Sequence, residues 1–199
     1  MALDTFGNLK TSIVSWSKRT DTLSLLADFI LLAEAEMWKT LRIRDMETSS
    51  TDTASSKDLA LPTNYIEMRR VRAISGGEYY DINFVTPNGL EDQNTSGIPR
   101  NYTITDQINF DRATTYDIET QFYAKLTALS DSNTSNAVLS RFPDIYLFGS
   151  LWALWKWAMD IEKSEYYYAL FQNAIKGANK EDESGRYSNP RIAKKGSTP

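Results

Sequence analysis

The side chains that could carry acid, base or nucleophilic chemistry are narrowed first by what is missing. Among 199 residues there is no His and no Cys, which removes the commonest general base, the commonest zinc ligand, thiolate metal sites and any disulfide framework. Chemistry would fall to carboxylates, Lys, Tyr, Ser or Thr. Two acid pairs stand close enough to be weighed as acid and base, Glu34 with Glu36 and Asp117 with Glu119. The first pair is two apart on an expected helix and diverges; the second shares the wet face of an expected strand. Both therefore read as solvated surface. No P-loop, GxSxG elbow, HExxH pair or dinucleotide fingerprint occurs, so no catalytic residue, metal or cofactor is expected.

Binding chemistry has more candidates. Arg69, Arg70 and Arg72 are the densest internal basic cluster and could line phosphates. No Gly-rich loop or helix start accompanies them to build an anion site, so ion pairs with acids of the same chain or of a neighbouring subunit are favoured. Asp131, Asn133 and Ser135 imitate the opening of a calcium loop, but Asn136 stands where the turn glycine belongs and Phe142 where the closing glutamate belongs. That stretch reads as a turn and helix cap. Asn94, Asn101 and Asn133 fit the glycosylation pattern; with no basic region and apolar core near the N-terminus, a secretion signal is not expected and the matches are read as chance. Tyr166, Tyr167 and Tyr168 with the tryptophans could stack bases or sugars. Consecutive helical positions point in different directions, so core or subunit packing is the expectation.

These residues must be held by elements that the hydrophobic pattern outlines. Leu9, Ile13 and Trp16 predict a helix over Phe6 to Lys18. A second helix, Leu23 to Leu41 with Asp21 or Thr22 as cap, has an inward stripe at Leu26, Phe29, Ile30, Ala33, Met37 and Leu41, with Glu34 outside it. The Thr- and Ser-rich run from Arg42 suits exposed strands. Ile66 and Met68 alternate, and the phase slips at Arg70 and Val71, which predicts a bulge. Tyr80, Ile82 and Phe84 are expected on the core face of a strand, Tyr102 to Phe110 in a hairpin about Thr105-Asp106-Gln107, and Tyr116 to Lys125 in a strand with one wet face.

RFPDIYLFGSLWALWKWA, Arg141 to Ala158, holds three of the five tryptophans. Pro143 suits a first helical position and Asp144 the positive helix end. The helix is apolar on nearly every face, so it must be covered on several sides. A membrane span needs about 20 apolar residues, and Gly149, Ser150 and Lys156 interrupt this one before Asp160. Trp152, Trp155 and Trp157 are therefore expected in the core or between subunits. A last helix from about Glu162 carries Tyr167, Phe171, Ala174 and Ala178.

Helices, strands, then helices define an α+β fold: a helical bundle from the N- and C-terminal helices with an inserted antiparallel β-rich lobe. A length of 199 residues with 41 % hydrophobic residues supports one domain. We expect that domain over 1–183, with helices at 6–41 and 143–180 and the lobe at about 42–128. Beyond Glu183 there are four basic residues and no acid, so a +4 segment follows a body of −8 in a chain of net −4. A basic tail on an acidic body is an interaction pattern, and residues 184–199 are expected to be a flexible arm.

Several segments together resemble one family. LKTSIVSWSKRTD with ADFILLAEAEMWKTLRIRDME, LALPTNYIEMRRVR, YTITDQINF, YDIETQFYAKLTALSDSN and LSRFPDIYLFGSLWALWKW are similar, in this order, to the head-to-tail adaptor proteins of tailed bacteriophages. LPTNYIEMRRV and RFPDIYLFGSL are the most specific. The resemblance implies a structural virion protein, not an enzyme, assembled after synthesis in the host cytoplasm. Such proteins form a ring, usually of twelve copies, below the portal. Partners would be the portal protein, a tail or nozzle protein and identical subunits, with double-stranded DNA passing non-specifically through the lumen and no membrane. Arg186, Tyr187, Arg191, Ile192, Lys194 and Lys195 would form the portal-docking arm. Two other classes compete with it. A carboxylate-based cell-wall hydrolase needs two facing acids across a cleft, and a membrane-active protein would use the tryptophan helix.

Overall fold

Helix α1 (Phe6–Ser17) begins where the Thr5 hydroxyl accepts the Asn8 N–H, and it ends at Lys18, whose left-handed φ of 57° lets its N–H bond the Val14 carbonyl. These details come from a computed structural model that describes residues 3–187. Leu9 and Ile13 of α1 are buried, while Trp16 is half exposed. Helix α2 (Leu26–Met37) follows a 3₁₀ turn at Leu23–Leu25. It stops short of the expected Leu41, although Leu41 is still buried just beyond it. Neither expected cap serves the helix: the Asp21 carboxylate is held by Arg19, at 3.0 Å from its Nε, and Thr22 makes no capping bond.

Helix α3 (Ala137–Arg141) is capped by the Asn136 side chain, which accepts the Leu139 N–H at 3.0 Å. Helix α4 (Pro143–Trp157) has Pro143 at its start and Asp144 in its first turn, as the sequence predicts. Ile145, Tyr146, Leu147, Leu151, Ala153, Leu154 and Trp155 are all buried, so the helix is covered on most sides. α2 and α5 provide most of that cover, and α1 and α3 add to it. Helix α5 (Ile161–Tyr187) runs past the end expected near residue 180 and takes in residues 184–187 of the expected arm. A buried carboxylate at Asp182 explains the extension: Arg186, one turn on, donates to it at 2.8 Å. The rest of the expected arm lies outside the described residues.

The tightest point of this unit is Gly149. A Cβ placed there would stand 2.8 Å from the Ala33 Cβ on α2 and 2.9 Å from Phe171 Cε2 on α5. The missing side chain lets α2 and α5 converge over α4, and ring stacking of Trp152 on Phe171, with centroids 6.3 Å apart, adjoins the contact.

The second compact unit is Asp45–Leu126. It is a curled seven-stranded sheet in the order β1-β7-β3-β4-β5-β6-β2. The strands are β1 (Glu47–Thr53), β2 (Ser56–Leu59), β3 (Tyr65–Ser75), β4 (Glu78–Phe84), β5 (Asn101–Ile104), β6 (Ile108–Thr114) and β7 (Asp117–Ala124). Hydroxyl-rich β1 lies at an edge and is almost wholly exposed, as its composition predicts. The expected bulge is present: the β3–β7 register shifts between Met68 and Arg70. The hairpin is β5–β6, and β7 buries Ile118, Thr120 and Phe122 on one face. Two expectations are corrected. β4 and β5 pair in parallel, because the chain leaves β4 through residues 85–100 instead of a tight turn. Tyr80 and Phe84 are 43 % and 57 % exposed, and Ile82 alone of that trio is buried. Alternation fixes which face a residue joins, and of this trio Ile82 alone belongs to the buried nonpolar cluster of Ala54, Leu59, Val71, Ala73, Ile82, Tyr102, Ile108, Phe110 and Ile118.

Gly149→Ala should lower stability by about 1–3 kcal/mol, because the atoms it meets belong to a packed ring and a helix-bound methyl. Urea unfolding followed by far-UV circular dichroism measures it.

Candidate assembly surface

The acids considered for catalysis are engaged in structural bonds. Glu34 is buried, against expectation: at 2 % exposure it lies inside the helical unit. Its Oε1 accepts the Leu129 N–H at 2.9 Å and the Tyr146 hydroxyl at 2.8 Å. Asn136 Nδ2 in turn donates to the Tyr146 hydroxyl at 2.7 Å. One carboxylate on α2 thus fastens α4 and the 127–136 segment together. Burial pushes the Glu34 carboxyl above its usual range, partly opposed by the Leu129 and Tyr146 bonds; burial and the neighbouring carboxylate push the Tyr146 hydroxyl upward as well. The missed signal is positional. Glu34 is four after Ile30 and three before Met37, on the buried arc. Glu36 pairs with Lys39 at 2.6 Å and accepts from the Tyr168 hydroxyl at 3.3 Å.

Glu119 is also partly buried and not simply solvated; Arg72 Nε donates to it at 2.9 Å from the adjoining strand β3. Asp117 accepts from Thr53 at 2.6 Å. The other two arginines of the cluster are paired within the chain too. Arg70 forks onto both Asp81 oxygens at 2.7 and 2.8 Å, and Arg69 Nε stands 3.1 Å from Glu47. Arg70 holds the Asp81 carboxyl below the usual carboxylate range. Each arginine has an acid on a neighbouring strand, or one strand further along the sheet, so the cluster is not a bare phosphate-binding stripe.

Around the imitation calcium loop, Asn133 Nδ2 bonds the Thr127 and Ala128 carbonyls at 3.1 and 2.8 Å, and Asp131 pairs with Lys10 at 3.0 Å. This is the turn-and-cap role its residues predict. Among the described residues no cluster of three or more potential ligands could hold a metal ion, and no helix is long and apolar enough to cross a membrane.

The three tryptophans of α4 take different places. Trp155 is buried, with Lys163 Nζ 4.1 Å from its ring centre. Trp152 is partly covered by Phe171 and Tyr168. Trp157 is 48 % exposed, against Phe29 on one side and with the Arg19 guanidinium 5.6 Å from its ring centre. Of the expected arm, Arg186 is tied to Asp182, and Tyr187 is the last residue of α5. Arg191, Ile192, Lys194 and Lys195 lie outside the described residues.

The helices also carry exposed apolar side chains. Leu23, Leu31 and Leu32 are more than half exposed along α2 and the turn before it, as are Met159, Ile161 and Tyr166 at the start of α5. Isolated exposed apolar residues are ordinary, but runs of them mark association surfaces. Residues 4–194 match the family model described as SU10 adaptor protein. The chain belongs to that family, which is one of phage head-to-tail adaptors, and is thus a structural component of the phage particle. No curated protein matches it.

Because Glu34 is harder to ionise when folded, the native state binds more protons than the unfolded chain above the ordinary carboxyl value of 4.5. Stability from this group is therefore present below that value and lost as pH rises through the raised folded value. Glu34→Gln should gain on the wild type as pH rises from 4.5 toward neutrality, read from paired thermal melts. Glu34→Ala, which strands the Tyr146 hydroxyl and the Leu129 N–H, should lose about 2 kcal/mol or more throughout.

Proposed function

We propose that the chain assembles as a ring, of twelve copies as in similar adaptors, that attaches to the portal, receives the tail or nozzle on its other face and surrounds the path of DNA. The family match over residues 4–194 carries this reading. The acids of the chain support it: a net charge of −4, with acids in excess outside the C-terminal segment, disfavours tight DNA binding and suits a channel through which DNA slides. The segment after Tyr187, with Arg191, Ile192, Lys194 and Lys195, is the arm that docks on the portal. It has three cations and no acid, and a segment that orders on docking can cover a large surface for modest net affinity. Arg186 belongs to the helix that presents the arm, since it completes the Asp182 pair.

Mixed with portal protein, the chain should give a stoichiometric ring complex by native mass spectrometry. Truncation after Tyr187 should leave the melting temperature unchanged, because the Arg186–Asp182 contact is kept, and should weaken portal binding. A complex equally tight without that segment removes the arm from the proposal. Absence of any ring complex removes the ring.

A further inference from the structure

Along α5 the inward row ends with Phe171, Ile175, Ala178 and Asp182, spaced four, three and four apart and all buried. The last of them is a carboxylate, so what holds the helix down changes there from apolar contact to charge. Asn179, next after Ala178, grips the chain that leaves α2 by two bonds. Its Oδ1 accepts the Arg42 N–H at 2.8 Å, and its Nδ2 donates to the Thr40 carbonyl at 3.0 Å. Asp182 accepts from Arg186 at 2.8 Å through Oδ2; Arg44 Nε stands 3.7 Å from Oδ1, which accepts no hydrogen bond among the described residues. Glu181 reaches Arg141 of α3 at 3.5 Å. A buried carboxylate oxygen that lacks a donor is costly, so this end of α5 is held less firmly than its aromatic part.

Gly177 stands at the junction. Nothing lies within 4 Å of where its Cβ would be, so packing does not call for a glycine there, in contrast to Gly149. A helical glycine disfavours the helix by about five-fold relative to alanine, and at Gly177 no contact offsets the loss. The residues that are gripped, Thr40, Arg42 and Arg44, form the lead from α2 into the second unit, which begins at Asp45.

We infer that α5 from Asn179 onward is a clasp on residues 40–44 that opens about Gly177, while Phe171 and Ile175 keep the rest of the helix in place. A segment held by two side-chain bonds and ion pairs, on a helix weakened at its root, opens locally without unfolding the bundle. Asn179 belongs to one side of the clasp and bonds the other, so the two sides loosen together. A partner that takes hold of the chain at the end of α5 therefore also acts on the lead into the sheet unit, and the coupling runs equally in the other direction. The inference does not depend on the ring or on the portal.

Native-state hydrogen exchange of the full chain, followed amide by amide in low urea, reads the clasp. The amides of Arg42 and of Glu181 to Glu183 should exchange through one opening with the same small urea dependence, whereas amides in the middle of α4 should show the large dependence of global unfolding. Gly177→Ala meets no neighbour and lies away from the Arg42 N–H, yet it should slow exchange at both places by about five-fold. Asp182→Ala should speed exchange at both by about ten-fold. An Arg42 amide that follows α4, or that ignores Gly177→Ala while Glu181 to Glu183 respond, would overturn the clasp. So would amides of Glu181 to Glu183 that exchange only when the whole bundle unfolds.

Discussion

The helical unit depends on one close approach. At Gly149 the backbone of α4 is near enough to Ala33 of α2 and Phe171 of α5 that no side chain fits between them. A glycine in a helix interior lowers its intrinsic stability by roughly 1 kcal/mol relative to alanine. Here that penalty is offset by packing, because the gap it leaves is filled by a methyl group and an aromatic ring from two helices. With α2 and α5 drawn onto α4, Tyr146 comes within hydrogen-bond reach of Glu34, and the 127–136 segment closes over both. The apolar contact sets the spacing and the polar network sets the register. A buried carboxylate is tolerable here only because its bonding oxygen meets two donors.

This arrangement was legible in the sequence to different degrees. The apolar run of α4 required cover on several sides, and the start at Pro143 and Asp144 was readable from helix-end chemistry. The bulge in β3 was readable because a period of two cannot absorb the slip at Arg70 and Val71 without an extra residue. The charge of Glu34 argues for solvent, whereas its position on the helix puts it on the buried arc. Nothing in one sequence names its partners, since Leu129 and Tyr146 are 95 and 112 residues away. Tyr80 and Phe84 failed for a complementary reason: alternation assigns a face, whereas burial depends on how far the neighbouring layer extends over it. The end of α5 was set too early because the polar composition after Lys180 suggested an unstructured tail. One buried acid, Asp182, with cations at Arg44 and Arg186, is enough to keep that stretch helical.

The arginine cluster of the sheet illustrates how pairing changes the meaning of a basic stretch. Read along the chain, Arg69, Arg70 and Arg72 concentrate positive charge. Read across the strands, they meet Glu47, Asp81 and Glu119. The exposed pairs, Arg69–Glu47 and Arg70–Asp81, stabilise little, whereas Arg72–Glu119 is largely covered; together they cancel the charge of the cluster. The excess of positive charge on the chain is then confined to the segment after Tyr187, so an encounter with an acidic partner would be steered by that end of the molecule alone.

An assembly protein faces opposing demands on its surface. Faces apolar enough to associate strongly would also associate at the wrong time, and the largest apolar patches on soluble proteins are correspondingly limited. Along α2 and α5 small residues limit the area of the exposed apolar positions. Ala27 and Ala35 alternate with Leu31 on α2 and with Leu23 in the turn before it, and Ala174 and Gly177 interrupt the aromatic and aliphatic positions on α5. Small residues bury little area when isolated faces collide, because the hydrophobic gain scales with area. They still permit close helix approach once a partner is held in the correct orientation. The losses of translational and rotational freedom on association are large compared with the gain from one such helix face. A contact between such faces would be weak as an isolated pair and would become effective if a docking partner held neighbours at the right spacing, since the effective concentration would then replace the free one. On this physical basis, the proposed ring would close on its docking partner in preference to closing in solution.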